Sequence, residues 1–295
     1  MTETTITRKD VTVIISGNRP TVVIGERINP TGKDWLKQAI LAGAWEKIGD
    51  LAKQQVEAGA RIIDVNVAMS GVNEVEALPR AVDAVQKAVS VPLCLDSGRA
   101  DALAAALPGC DGKVIINSVD GNQDKLDAIL PLAHQYKAAI IGLTMDKSSG
   151  IPKTVEKRME IARRIKEAVL AAGIGPEDLI IDCLTLAVSA DQSMGVVALE
   201  TMRRISHELE CNVNMGVSNI SFGLPERPLL NGTFIAMACA AGLTCAIVNP
   251  DSTQVVRSLL AADVLLGRDR RALGFLRDYR ARLAKKTEAF AGGDA

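Results

Sequence analysis

The sequence predicts an α/β fold, specifically a closed (β/α)8 barrel, on three observations. Eight short, nearly continuous apolar runs rich in β-branched residues recur along the 295 residues, as expected of parallel strands covered on both faces. Helix-like segments separate them at intervals of about 20 to 40 residues, the rhythm of βα units. No G-x-G-x-x-G follows the first run and no Walker lysine motif occurs, which weighs against an open nucleotide-binding sheet.

The runs are Val22–Asn29 (VVIGERIN), Arg61–Ala68 (RIIDVNVA), Pro92–Ser97 (PLCLDS) and Lys113–Val119 (KVIINSV). Four more follow: Ala138–Met145 (AAIIGLTM), Asp178–Leu186 (DLIIDCLTL), Asn212–Asn219 (NVNMGVSN) and Cys245–Pro250 (CAIVNP). Among the helices, Lys47–Ala58 stops at Gly59 and Thr154–Ala172 stops at Gly173, the residue type that best tolerates the left-handed position after a helix. Val196–Leu209 carries apolar residues at helical spacing. Ahead of the barrel, Val11–Ser16, a Gly17-Asn18 turn and the first barrel strand read as a hairpin capping the bottom. After it, Asp251–Leu283 reads as helical and the closing AGGDA as a disordered tail. With no linker and no internal repeat, the chain is expected to be one domain: extension 1–21, barrel about 22–266, C-terminal helix and tail 267–295.

Composition excludes several classes of partner. Lys and Arg number 34 against 35 Asp and Glu, and aromatic residues are 3%, so there is neither a basic field nor a set of stacking platforms for nucleic acid. The longest apolar stretch, Thr233–Val248, is broken by Gly242 and Thr244. It falls short of the ~20 residues that cross a bilayer and divides into a helix and a strand. The first ten residues, MTETTITRKD, lack an apolar signal core. Six scattered cysteines without a C-x-x-C pair read as reduced thiols. The expectation is a cytoplasmic protein.

In (β/α)8 barrels the active site forms where strands end. The expected ends here carry Glu26, Asn29, Asp64, Asn66, Asp96, Asn117, Thr144, Asp146, Asp182, Asn219 and Asn249. This is a set of short carboxylates and amides. His134 and His207 fall inside helical segments, so a zinc site or a Ser-His-Asp triad is not expected. A carboxylate accepts two parallel hydrogen bonds from a cyclic N–H/NH2 pair, the edge a 2-amino-4-oxo pterin presents, and an amide both donates and accepts. Taken singly, each Asp or Asn also suits a helix cap or a turn.

These segments resemble a known family. The marks are GERINPTGK on the first strand, EAGARIIDVNVA on the second, CLDS on the third and INSV on the fourth. GLTMDKSSGIPKT, LIIDCL and GVSNISFGLPERPLLNGTF mark the fifth to seventh. Together they resemble the methyltetrahydrofolate:corrinoid methyltransferases and the folate barrel of cobalamin-dependent methionine synthase, and more distantly dihydropteroate synthase. The likeness spans about Val22 to Leu266.

It implies that Asp96, Asn117 and Asp182 bind the pterin edge, that Asn219 hydrogen-bonds N5, and that Arg227 lies near the pterin. Asp96 and Asn219 are the implied catalytic pair. Further implications are tetrahydrofolate and 5-methyltetrahydrofolate as substrates, a cobalamin (corrinoid) cofactor carried on a separate protein docking at the barrel mouth, a homodimer, and no metal bound by the chain. Phe222 stands where some relatives serving corrinoid/iron–sulfur partners carry glutamine. VAMSGVNEVEAL lacks the Arg and Pro of the corresponding dihydropteroate synthase loop, which leaves that activity, or a non-catalytic folate-binding protein, as the alternatives. The D-x-H-x-x-G corrinoid signature is absent. The loops Asn29–Leu36 and Ser148–Thr154 are expected to move, with Lys33, Lys147 and Lys153 as candidates for the folate glutamate tail.

Overall fold

The computed structural model describes residues 2–291, with side chains for 2–284. Gly292–Ala295 of the tail expected to be irregular lie outside the described residues. A two-stranded hairpin, β1 (Thr4–Arg8) and β2 (Val11–Ile15), precedes eight parallel strands. These are β3 (Val22–Ile28), β4 (Ile62–Val65), β5 (Leu93–Asp96), β6 (Ile115–Asp120), β7 (Ala139–Leu143), β8 (Leu179–Asp182), β9 (Asn212–Asn214) and β10 (Cys245–Val248). They are ordered β10-β3-β4-β5-β6-β7-β8-β9. The ring closes between β9 and β10 through a parallel bridge, Gly216 to Ile247, and the Ile247 N–H to Met215 carbonyl bond of 3.0 Å. The barrel expected from the sequence is therefore present, and the eight apolar runs are its strands.

Helices α1 (Asp34–Leu41), α2 (Trp45–Glu57), α3 (Glu74–Ala88), α4 (Ala100–Ala106) and α5 (Gln123–Gln135) surround the first strands. Helices α6 (Val155–Ala171), α7 (Ser193–Arg204), α8 (Arg227–Ala240), α9 (Thr253–Leu265) and α10 (Leu273–Ala291) complete the outer layer. Helix α6 starts where Thr154 Oγ1 accepts the Lys157 N–H, and it is followed by Gly173 at φ 79°, the start and stop signals its sequence carries. The apolar stretch 233–248 does divide into the end of α8 and β10. Among the described residues no helix is long and apolar enough to cross a membrane. All six cysteines are free thiols.

One expectation needs correction. The N-terminal hairpin exists, but Val11–Ile15 pairs back onto Thr4–Arg8 rather than forward onto the first barrel strand. The physical reason is edge availability. Strand β3 is flanked by β10 and β4 and has no free edge, whereas Thr4–Arg8 alternates buried and exposed residues and offers one. The turn falls at Lys9-Asp10, with Lys9 at φ 50°. The hairpin plugs the barrel bottom: Lys113 N–H donates to Thr7 O at 2.8 Å, Asn212 Nδ2 donates to Thr4 Oγ1 at 2.9 Å, and buried Arg8 donates to Gln86 O at 2.7 Å. The helical reading of 251–283 is also interrupted, at 266–272, between α9 and α10.

Candidate functional site

Side chains alternate in and out along a strand, so every second residue of a strand points into the barrel, where the inward side chains stack from the bottom to the mouth. The lower interior is apolar: Ile24, Ile62, Cys94, Ile115 and Ile180 pack with Ile6, Val13 and Ile15 of the plug. Two residues further along the same strands, parity places Glu26, Asp64, Asp96, Asn117 and Asp182, and Asn214 follows Asn212 in the same way. Leu143 and Ile247, at the edge of the apolar cluster, fill the corresponding places on β7 and β10. The polar layer faces the mouth. Asp64, Asn117, Asp182 and Asn214 are each less than a tenth exposed.

Neighbours in this layer are linked. Asp96 pairs in register with Asn117, and Asp182 with Asn214. Asn214 Nδ2 donates to Asp182 Oδ2 at 2.6 Å while the Leu184 N–H donates to Oδ1 at 2.7 Å. Asn66 Nδ2 donates to Asp96 Oδ2 at 2.7 Å, and its own Oδ1 accepts the Ala68 N–H at 2.8 Å. Asn117 Nδ2 donates to Asp64 Oδ1 at 3.3 Å. A bulge lies between Gly25 and Ile28, where Gln55 Oε1 accepts the Arg27 N–H at 2.8 Å. Gly25 leaves room for this bond, since a Cβ there would stand 2.6 Å from that oxygen and displace the Gln55 side chain.

Electrostatically these carboxylates are amide-bound, not ion-paired: among the described residues no Lys or Arg forms a salt bridge with Asp64, Asp96 or Asp182. Burial pushes Asp182 up to about 6, against the hydrogen bonds from Leu184 and Asn214. Burial, and then the neighbouring Asp96 charge, raise Asp64 well above the usual carboxylate range. Burial also raises Asp96, with Asn66 opposing. Two adjacent carboxylates in a dry setting favour one proton between them, held on the deeper Asp64. Burial raises Glu26 too, opposed by Lys33, Arg27 and Arg227. Such a layer can hold a flat heterocycle with an N–H/NH2 edge and reject analogues that leave its polar atoms unpaired.

Three residues expected in the site, Asp96, Asn117 and Asp182, thus share the mouth-facing layer. Asn219 does not join it. The seventh strand ends at Asn214, and Asn219 lies beyond it, exposed, in a 3-10 turn, Val217–Ser221. Arg227, the first residue of α8, ties that turn down, donating from Nη2 to Ser218 O at 2.8 Å and from Nε to Ser221 Oγ at 3.1 Å. Its guanidinium lies 5.8 Å from the centroid of the Phe222 ring.

Other strand-end candidates prove to be turn formers. Asn29 Oδ1 accepts the Thr31 N–H and Asn249 Oδ1 the Asp251 N–H. Asp146 closes the Asp146–Gly150 bridge: burial alone would raise it, yet the Arg164 ion pair at 2.6 Å and Ser148 and Ser149 hold it well below the usual range. Lys147 pairs with Asp124 at 2.6 Å and Lys153 with Asp191 at 3.9 Å, while Lys33 donates to Asn29 O. The first loop is shorter than expected, because α1 begins at Asp34 and Leu36 is buried. Residue types alone did not single out Asn214, nor give Asp64 a role; the signal was strict parity, in N-V-N on β9 and I-I-D-V on β4. Among the described residues no group of three or more His, Cys, Asp or Glu is arranged to hold a metal ion.

A barrel with this carboxylate–amide layer at its mouth is a pterin binding enzyme: that family's model matches residues 25–249, and the chain belongs to the family. Its relatives include a methylcorrinoid:tetrahydrofolate methyltransferase of Eubacterium limosum, 33% identical over 264 residues, covering 88% of this chain and 96% of the relative. A methionine synthase of Mycobacterium leprae is 31% identical over 252 residues, covering 81% of this chain but only 21% of the synthase. Its methyltransferase relatives are thus matched either nearly whole or over about a fifth of their length. Among solved structures, dihydropteroate synthase of Xanthomonas albilineans superposes with a TM-score of 0.64 at 20% identity, covering 86% of this chain and 95% of that one. A Yersinia pestis DHPS superposes with 0.63 at 18%, covering 88% and 98%. These structural likenesses concern the fold.

Proposed function

We propose that the chain is a methyltransferase that moves the N5-methyl group between methyltetrahydrofolate and a corrinoid carried on a separate protein. The observation that carries this reading is the mouth-facing set of Asp96, Asn117 and Asp182, the last two buried, in a chain 33% identical along most of its length to a methylcorrinoid:tetrahydrofolate methyltransferase. Asp96 and Asp182 accept from the pterin N–H/NH2 edge, and Asn117 both donates and accepts. The carboxylates have no cationic partner within ion-pair distance among the described residues, so their remaining lone pairs are free for ligand donors.

A neutral tertiary amine is a poor leaving group because the bonding pair of the methyl–nitrogen bond stays on N5, so N5 must take up a proton, or accept a strong hydrogen bond, as that bond breaks. Asn219, on its Arg227-braced turn, supplies a hydrogen bond there. An amide is no proton source, so the proton passes through water from the network that includes Asp96 and Asp64. The corrinoid supplies the methyl acceptor or donor. The chain's two histidines sit late in α5 and in the turn after α7, at the helix ends away from the mouth. Neither is placed to ligate a corrinoid, so the cofactor arrives on its own protein over the mouth.

The test is methyl transfer from methyltetrahydrofolate to Co(I) cobalamin, followed by the cobalamin absorption spectrum. Wild type should show transfer. Asn219→Ala should lower the single-turnover rate by about 10²-fold or more while changing the folate dissociation constant about threefold or less. An equal loss in binding with an unchanged chemical step overturns the role of Asn219. Tight folate binding with no transfer from wild type overturns the methyltransferase reading in favour of a folate-binding protein.

A further inference from the structure

Arg158, in the first turn of α6, is fully buried and has no carboxylate within ion-pair distance among the described residues. Its Nε donates to Pro152 O at 2.8 Å, and Nη1 donates to Cys183 O at 2.6 Å and to Leu184 O at 2.8 Å. Nη2 has no acceptor. A buried guanidinium so incompletely satisfied is a poor source of stability, and a packed apolar side chain would serve the core better. What it does achieve is geometric. It joins the loop after β7 to the two residues that follow Asp182, and it holds Leu184 at φ 50°, a left-handed conformation that leucine rarely adopts. In that conformation the Leu184 N–H turns back onto Asp182 Oδ1. From the other side Asn214 Nδ2 holds Oδ2.

We propose that Arg158 and Asn214 are positioning residues, the two arms of a clamp that fixes the Asp182 carboxylate in the plane the pterin edge requires. The proposal rests on the pterin reading given above. One arm acts through the Cys183–Leu184 turn, the other directly. The ionisable groups facing Asp182 are Arg158 and the thiols of Cys183 and Cys245, and neither thiol ionises near neutral pH, because burial raises both. The clamp therefore sets the titration of Asp182 as well as its direction: a hydrogen bond to the ionised form favours that form.

Arg158→Lys keeps the positive charge but gathers its donors on one nitrogen, losing the planar fork that reaches Pro152 O from Nε and Cys183 O and Leu184 O from Nη1. In ligand-free protein the Asp182 titration, followed by carboxyl carbon NMR, should move upward from about 6. Methyltetrahydrofolate affinity should fall about tenfold, and in an Asp182→Asn background the same change should matter less than about twofold. Asn214→Ala carries the same three readouts and stands in if Arg158→Lys does not fold. An unchanged titration, or an affinity loss equal in both backgrounds, overturns the clamp. If wild type binds no methyltetrahydrofolate yet the titration still moves, the clamp stands and the pterin reading falls.

Discussion

The lower and upper halves of the barrel interior are built by the same strands and differ in almost every other respect. Below, isoleucines and two cysteines pack on a hairpin plug. Above, two residues further along six of the eight strands, the inward positions are carboxylates and amides, joined by hydrogen bonds such as those of Asn117 to Asp64 and Asn214 to Asp182. The lower layer lowers the free energy of the fold by removing apolar surface from water. The upper layer raises it, because buried carboxylates shifted upward resist ionisation at neutral pH. On the proposed function, stability and recognition are thus separated by one strand repeat, the second at a cost to the fold.

The sharpest way to break the contrast is to damage the lower layer. Ile180→Ala should destabilise the protein by about 2–5 kcal/mol in urea denaturation, as large-to-small core changes do. It should do so equally at pH 5 and pH 8, without altering folate affinity per folded molecule.

The upper layer should respond with the opposite sign. The folded pKa of Asp182 is raised to about 6. Its contribution to stability is therefore fully present below about pH 4 and lost as pH rises through about 6. Asp182→Asn should remove that dependence and stabilise ligand-free protein at pH 8 by about 1–3 kcal/mol, while folate affinity falls at least about tenfold. A loss of stability at pH 8 would refute the assignment of cost to this layer.

The smallest effect is expected outside both layers. Lys147→Ala and Lys153→Ala break exposed ion pairs. Each should change stability by about 0.5 kcal/mol or less, with folate affinity within about twofold. A larger affinity loss for either would assign it to the glutamate tail.

Much of this was legible in the amino-acid order. Strands covered on both faces must be apolar throughout, so VVIG, LIID and CAIV stand out without any structure. Their ends were read too long wherever a buried loop continued the apolar run: Met215 and Val217 are buried, yet the strand stops at Asn214. The hairpin was visible but not its partner, because a turn-forming Gly17-Asn18 says nothing about which sheet edges are already taken. Asp96, Asn117 and Asp182 were recognisable as strand-end polar residues; Asn29, Asn249 and Asp146 looked the same and serve turns.

The order of residues by itself determined the alternation of strands and helices, because that follows from local periodicity. Only the closed barrel decided which inward residues meet: that Asn214 holds Asp182, that Asn117 reaches Asp64, and that Arg158 sits behind the turn at Leu184. Those meetings depend on the stagger with which eight strands close into a ring, a property of the whole sheet that no single strand encodes.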